Sequence, residues 1–145
     1  MLQEVEVRAL VNDPQTDFPV LLLQGRGLRK AMPIWVGYPE ATAIIIALKE
    51  QLPPRPLTWD LLNSIIVTLE GRLEQVVIEG IHEEVYYASL FIRDRRGELQ
   101  QVDARPSDAV ALALRAACPI YVRKEIFEEQ ARELWEGEEP GSFYF

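Results

Sequence analysis

Apolar and polar residues alternate through Val5-Glu6-Val7 and on to Val11, and the alternation stops at Asn12-Asp13-Pro14, which predicts a strand closed by a turn. Residues 18–24 and 30–36 carry the same signal on either side of Gly25-Arg26-Gly27, so the three segments predict a β-meander. After Pro39 the period lengthens. Ala41, Ile44, Ile45 and Leu48 fall at helical spacing, with Pro39 and Glu40 suited to a first turn, and predict a helix to about residue 51. Pro53-Pro54-Arg55-Pro56 breaks that helix. Thr58 then reads as the N-cap of a second helix carrying Leu61, Leu62, Ile65, Ile66 and Leu69 and ending at Gly71.

The order recurs in the second half. Strands are predicted over 73–79, 85–93 and 98–104, with a turn at Asp94-Arg95-Arg96-Gly97 and a helix after Pro106. At one constant offset Glu40 aligns with Asp108, Ala41 with Ala109, Ala43 with Ala111, Ile44 with Leu112 and Phe18 with Tyr86. A short strand at 119–122 and an amphipathic helix over about 124–135 complete the pattern. The expected fold is α+β: a duplicated β-meander plus helices, forming mixed or antiparallel sheets with the helices packed outside. One domain over 1–136 is expected, with halves of about 1–71 and 72–136 and a tail at 137–145. Ala41, Ala43 and Ala47 interleave with Ile44, Ile45, Ile46 and Leu48, leaving a helix apolar over most of its circumference. Such a helix is expected to be buried partly in its own subunit and partly against a second copy, as in a homodimer.

A length of 145 residues suits a single domain. The longest apolar run, 41–48, is cut short by Lys49 and Glu50, so no membrane span is expected. The alternating N-terminus lacks the basic and then apolar regions of a secretory signal, and the expected location is cytoplasmic. Cys118 is the single cysteine, which excludes an internal disulfide and a cysteine-based zinc site. Between Ala117 and Pro119 it reads as a small packing residue near a helix end rather than a nucleophile. The net charge of −8 would repel a phosphate backbone, but it is concentrated after Lys124, where seven acids meet one base, Arg132. The rest of the chain is close to balance and can present a basic surface.

Three motifs together resemble the bifunctional nuclease (BFN) domain family: Pro33-Ile34-Trp35-Val36-Gly37 with Glu40-Ala41, Pro53-Pro54-Arg55-Pro56-Leu57-Thr58, and Asp103-Ala104-Arg105-Pro106-Ser107-Asp108-Ala109. The similarity runs from near Met1 to about Glu129. It implies an α+β domain linked, in some members, to hydrolysis of DNA and RNA, without a settled catalytic set to transfer. This chain departs from the family where Trp59 stands in place of the histidine common before the aspartate equivalent to Asp60.

Phosphodiester hydrolysis requires an activated water, charge neutralisation on the phosphoryl oxygens and protonation of the leaving oxygen. His82 is the sole histidine and lies in a polar turn, which excludes a two-histidine mechanism. The remaining route is Mg2+ or Mn2+ held by carboxylates. Asp103 and Asp108 are the candidate metal ligands, Arg105 the phosphate contact, and Glu40 the counterpart of Asp108. A structural reading stands beside this one: Ser107 or Asp108 capping the helix, Arg105 pairing with Asp103, and Glu40 and Asp60 complementing helix dipoles. Arg26, Arg29 and Lys30 surround one hairpin turn and Arg93, Arg95 and Arg96 the related one. They form a candidate nucleic-acid-binding pair or an ordinary solvated surface. Trp35, Tyr38, Trp59, Tyr86 and Tyr87 can stack on bases, with Trp35 and Tyr87 also suited to the core or an interface. The second functional reading is a non-catalytic module docking a protein partner or a small anion.

Overall fold

Alternation places every second strand residue on one face, and here that face becomes one core. The computed structural model describes residues 1–134 and the backbone of 142–143. The first meander is β1 (Leu2–Asn12), β2 (Pro19–Gly25) and β3 (Lys30–Trp35), followed by helices α1 (Tyr38–Leu48) and α2 (Thr58–Thr68). The second is β4 (Arg72–His82), β5 (Val85–Arg93) and β6 (Leu99–Ala104), followed by α3 (Pro106–Ala116), β7 (Ile120–Arg123) and α4 (Lys124–Gln130). Two-residue strands β8 (Arg132–Glu133) and β9 (Ser142–Phe143) were not signalled by periodicity.

All strands join one mixed sheet in the order β6-β5-β4-β7-β1-β2-β3-β8, with β9 also paired to β1. β7 lies at the centre, antiparallel to β1 and parallel to β4, so the two meanders extend from it in opposite directions. Leu21, Leu23, Met32, Ile34, Val76, Ile78, Ala88, Leu90, Ile120 and Val122 form a buried cluster with Ala41 and Ile44 of α1 and Ala109–Ala113 of α3. The alternate residues Glu79, Ser89, Gln101 and Arg123 build a hydrogen-bonded polar network on the opposite face of the sheet.

Two local expectations are corrected. Thr58 is the first helical residue rather than the cap; the N-cap is Leu57, whose backbone N–H donates to Asp60 Oδ2 at 2.8 Å. The last helix is shorter than expected, because Ala131 turns extended and sends Arg132 and Glu133 to pair with Ala31 and Lys30 of β3. Trp135 and the tail at 137–145 fall largely outside the described residues. No described helix is long and apolar enough to cross a membrane.

Candidate functional site

Arg105 sits where β6 hands over to α3. A residue before proline is driven to an extended backbone, and Arg105 has φ −72° and ψ 147° at the N-cap, with Pro106 opening the helix. Its side chain is therefore free of the strand ladder and turns onto two carboxylates. Arg105 Nε donates to Asp108 Oδ2 at 2.9 Å and NH2 to Asp108 Oδ1 at 3.2 Å, a bidentate pair. NH1 donates to Glu40 Oε1 at 3.3 Å. The side chain of Arg105 is 65% exposed and that of Glu40 only 14%. The hydrogen bond and charge of Asp108, with a smaller contribution from Glu40, raise the Arg105 pKa. Glu40 and Asp108 occupy the first turns of α1 and α3, so both helix N-termini meet at one guanidinium. Gly37 makes room for this: a Cβ there would stand 2.8 Å from Glu40 Oε1. Trp59 of α2 completes the group, its Nε1–H donating to Asp108 Oδ1 at 2.9 Å. An indole N–H does not titrate near neutral pH, so Trp59 positions and does not exchange protons.

The expected neighbourhood of Arg105 changes in two respects. Among the described residues no side chain caps α3, because Ser107 is buried and Asp108 turns to Arg105. Asp103 does not pair with Arg105. In β6 it lies opposite Ser89, whose hydroxyl bonds Glu79 and Gln101 on the helix-free face, while Val102 faces α2. Asp103 borders the hollow beneath α2, but pleat alternation sends its side chain to the other side of the sheet. Asp103 and Asp108 are thus not brought together as ligands of one ion, and among the described residues no three His, Cys, Asp or Glu side chains are grouped to hold a metal.

Arg105 stands between two hollows. One of about 300 Å³ lies on the Glu40 side, walled by Trp35, Val36, Glu84 and Tyr86. The other, about 460 Å³, lies on the Asp108 side, walled by Trp59, Leu62, Ile66 and Val102. A larger hollow of about 540 Å³ by Pro33, Leu22 and Arg132 is mostly apolar and lacks this cluster.

A second arginine was not singled out from the sequence. Arg115, 8% exposed, donates from Nε to Asp60 Oδ1 at 2.7 Å, from NH1 to Ala111 O at 2.9 Å and from NH2 to Ala43 O at 3.1 Å. It links α1, α2 and α3 behind the open cluster. The available signal was a lone cation in the otherwise apolar run Ala111-Leu112-Ala113-Leu114-Arg115-Ala116.

The two basic turns do not form a pair. The strand registers put the β2–β3 turn and the β5–β6 turn at opposite ends of the strands, on opposite flanks of β7. Arg93 is committed to Glu74 and to Gly97 O, and Arg26 to Glu4. Arg29, Lys30, Arg95 and Arg96 form no ion pair among the described residues. Trp35 and Tyr87 are half-exposed rather than core; Trp35 Nε1–H donates to Asp13 at 2.9 Å. His82 is solvent-exposed. Burial pushes the Cys118 thiol up to about 11, away from nucleophile chemistry.

A family model described as the bifunctional nuclease domain matches residues 20–134. The chain belongs to the bifunctional nuclease domain family. That span holds Glu40, Trp59, Asp60, Arg105, Asp108 and Arg115. An uncharacterized protein of Mycobacterium tuberculosis is 42% identical over 127 residues, covering 86% of this chain and 74% of its own length. Bifunctional nuclease 1 of Oryza sativa subsp. japonica is 24% identical over 118 residues, covering 80% of this chain. That alignment takes in 36% of the plant protein, so this bifunctional nuclease domain corresponds to a part of it.

Proposed function

We propose that this chain hydrolyses phosphodiester bonds of DNA or RNA at the Arg105 cluster. Arg105 binds the phosphate, Glu40 takes the proton of the attacking water as its oxygen bonds phosphorus, and Asp108 with Trp59 holds Arg105 in position. The bond to the leaving oxygen breaks, and that oxygen takes a proton from solvent in the open hollow. The observation that carries this reading is the open guanidinium of Arg105, held between two carboxylates at convergent helix N-termini with a hollow on either side. An incoming phosphate competes for NH1, whose 3.3 Å contact to Glu40 is the longest of the three. Its charge replaces that of Glu40 on the guanidinium, and the released carboxylate is left beside the phosphate as a base. The bifunctional nuclease name of the plant relatives supports the reaction class.

Magnesium or manganese is an arm of the test rather than a step of the mechanism, since Asp103 and Asp108 face different sides of the sheet. Cleavage of single- and double-stranded DNA and RNA is measured with chelator, Mg2+ or Mn2+, for wild type, Glu40→Gln and Arg105→Ala. Glu40→Gln is expected to lower the rate roughly 100-fold or more, as is Arg105→Ala, with thermal midpoints close to wild type. Undiminished cleavage by both variants overturns this site.

A second reading, a non-catalytic docking module, draws support from the charge of the cluster. Two carboxylates on one guanidinium leave it net negative, which disfavours a resting phosphate. Absence of cleavage under every metal condition, with a folded wild type, would favour it.

A further inference from the structure

The flank formed by β6 and α2 is exposed in both of its layers. Among the described residues β6 pairs only with β5 and ends the sheet, so its outer backbone groups have no strand partner there. Edge strands are ordinarily protected by lysine, proline or a bulge. Leu99-Gln100-Gln101-Val102-Asp103-Ala104 has none of these and a single charge, Asp103, and its register with β5 is unbroken from Leu99 to Ala104. At the opposite edge β8 covers Lys30 and Ala31 of β3, and the rest of that strand carries Pro33. Above β6, the apolar stripe of α2 is only half used. Leu62 and Ile66 wall the hollow over Val102, while Leu61 (53% exposed), Ile65 (46%) and Leu69 (69%) face solvent. α3 lies on the other side of α2, tied through Asp60 and Arg115, so the free stripe points away from it.

We infer that this flank is the interface between two copies of the chain, paired antiparallel through β6 to continue the sheet, with α2 packed on α2 of the second copy. Three features favour a second copy over an extended peptide. First, both layers are open, whereas a peptide strand would cover only the lower one. Second, Val102 lies under Leu62 and Ile66, so the middle of the strand is beneath the middle of the helix and a single twofold axis serves both. Third, the ends of α2 are complementary in charge. A twofold near Leu62–Asn63 brings Leu61 against Ile65 of the second copy and Arg55 beside Glu70 of the second copy. Neither Arg55 nor Glu70 has an ion pair among the described residues. The homodimer expected from the apolar helix α1 is relocated by this arrangement. Ala41, Ala43 and Ile44 are already buried inside the subunit, whereas Leu61, Leu62, Ile65 and Val67 of α2 are exposed beside Leu99 and Val102 of β6. The hollow holding Trp59 and Asp108 lies between the same two elements, which brings the second copy to the margin of the Arg105 cluster.

The test is sedimentation velocity across a micromolar concentration series, with hydrogen exchange on the β6 amides. Wild type should be dimeric. Leu61→Glu with Ile65→Glu alters only positions that face solvent in the single subunit, so the variant should stay folded by circular dichroism while the dimer weakens roughly 100-fold or more. Its thermal midpoint should fall only by the part that rises with protein concentration in wild type. The amides of residues 99–104 should exchange faster in that variant than in wild type. Arg55→Glu and Glu70→Arg should each weaken the dimer, and together restore it. A monomeric wild type, a dimer untouched by the glutamates, unchanged β6 exchange, or no restoration by the double charge reversal would each overturn the arrangement.

Discussion

The indole Nε1–H of Trp59 donates to Asp108 Oδ1 at 2.9 Å, so α2 is tied to the same carboxylate that grips Arg105. Trp59 also walls the neighbouring hollow. Trp59→Phe keeps most of the ring and removes the donor, leaving Asp108 with Arg105 alone. The expected cost is about 1 kcal/mol, measured by urea denaturation. A larger cost would mean that ring packing, not the hydrogen bond, carries the contact.

Arg115 should matter more for stability than Arg105. Its guanidinium is enclosed, and it satisfies two helix carbonyls and one carboxylate drawn from three helices. Arg115→Met retains much of the apolar stem but strands Asp60 and both carbonyls. The expected loss is about 3 kcal/mol, against little change for Arg105→Met at its open position. Burial opposes ionisation of Asp60, but the Leu57 N–H and Arg115 outweigh it and hold its carboxyl below the usual range. Arg115→Met should therefore also raise the Asp60 pKa in an NMR titration.

Glu74 supplies the acid-side pH dependence. Hydrogen bonds from Arg93 first, and then from Arg72, hold its carboxyl down to about 2 from an ordinary value of 4.5. A depressed folded-state pKa means the unfolded chain binds the proton first. The contribution of Glu74 is therefore full above pH 4.5 and declines as the pH falls toward 2. Glu74→Gln should flatten the fall in unfolding free energy within that window and leave the slope near neutral pH unchanged. Equal slopes for wild type and variant below pH 4.5 would contradict the assignment.

Why these features were unequally legible follows from what each depends on. Seven strands were readable because alternation over four or more residues is local, and α1 to α3 because their apolar spacing is local too. β8 and β9 are two residues each, too short to carry a period, and exist only because partner strands were waiting for them. The strand-proline-helix junction made Arg105, Asp108 and Glu40 visible as a set. Closeness in sequence suggested Asp103 as well, but the pleat separates neighbours that sequence distance joins. The Arg115–Asp60 pair joins helices across a sequence separation of 55, and no local pattern encodes it. The two basic turns matched in sequence, yet their placement at opposite strand ends depends on β7 inserting between the meanders.

The end of α3 offers the clearest route to a more stable chain. Ala117 lies in the left-handed region at φ 55° and ψ 43°, where a Cβ crowds the following carbonyl and glycine is the favoured residue. The helix stops there because the Cys118 N–H turns back to Ala113 O at 3.1 Å, and Pro119 follows. Ala117 is exposed, so trimming its methyl forfeits almost no packing. Ala117→Gly should therefore stabilise the protein by about 0.5–1 kcal/mol: relief of the backbone strain exceeds the added flexibility of the unfolded chain. The same change at Ala113, buried within α3, should destabilise, since there the helical backbone suits alanine and the methyl is packed. Urea midpoints for the two variants should move in opposite directions, and a shared direction would show that the left-handed cap is not strained.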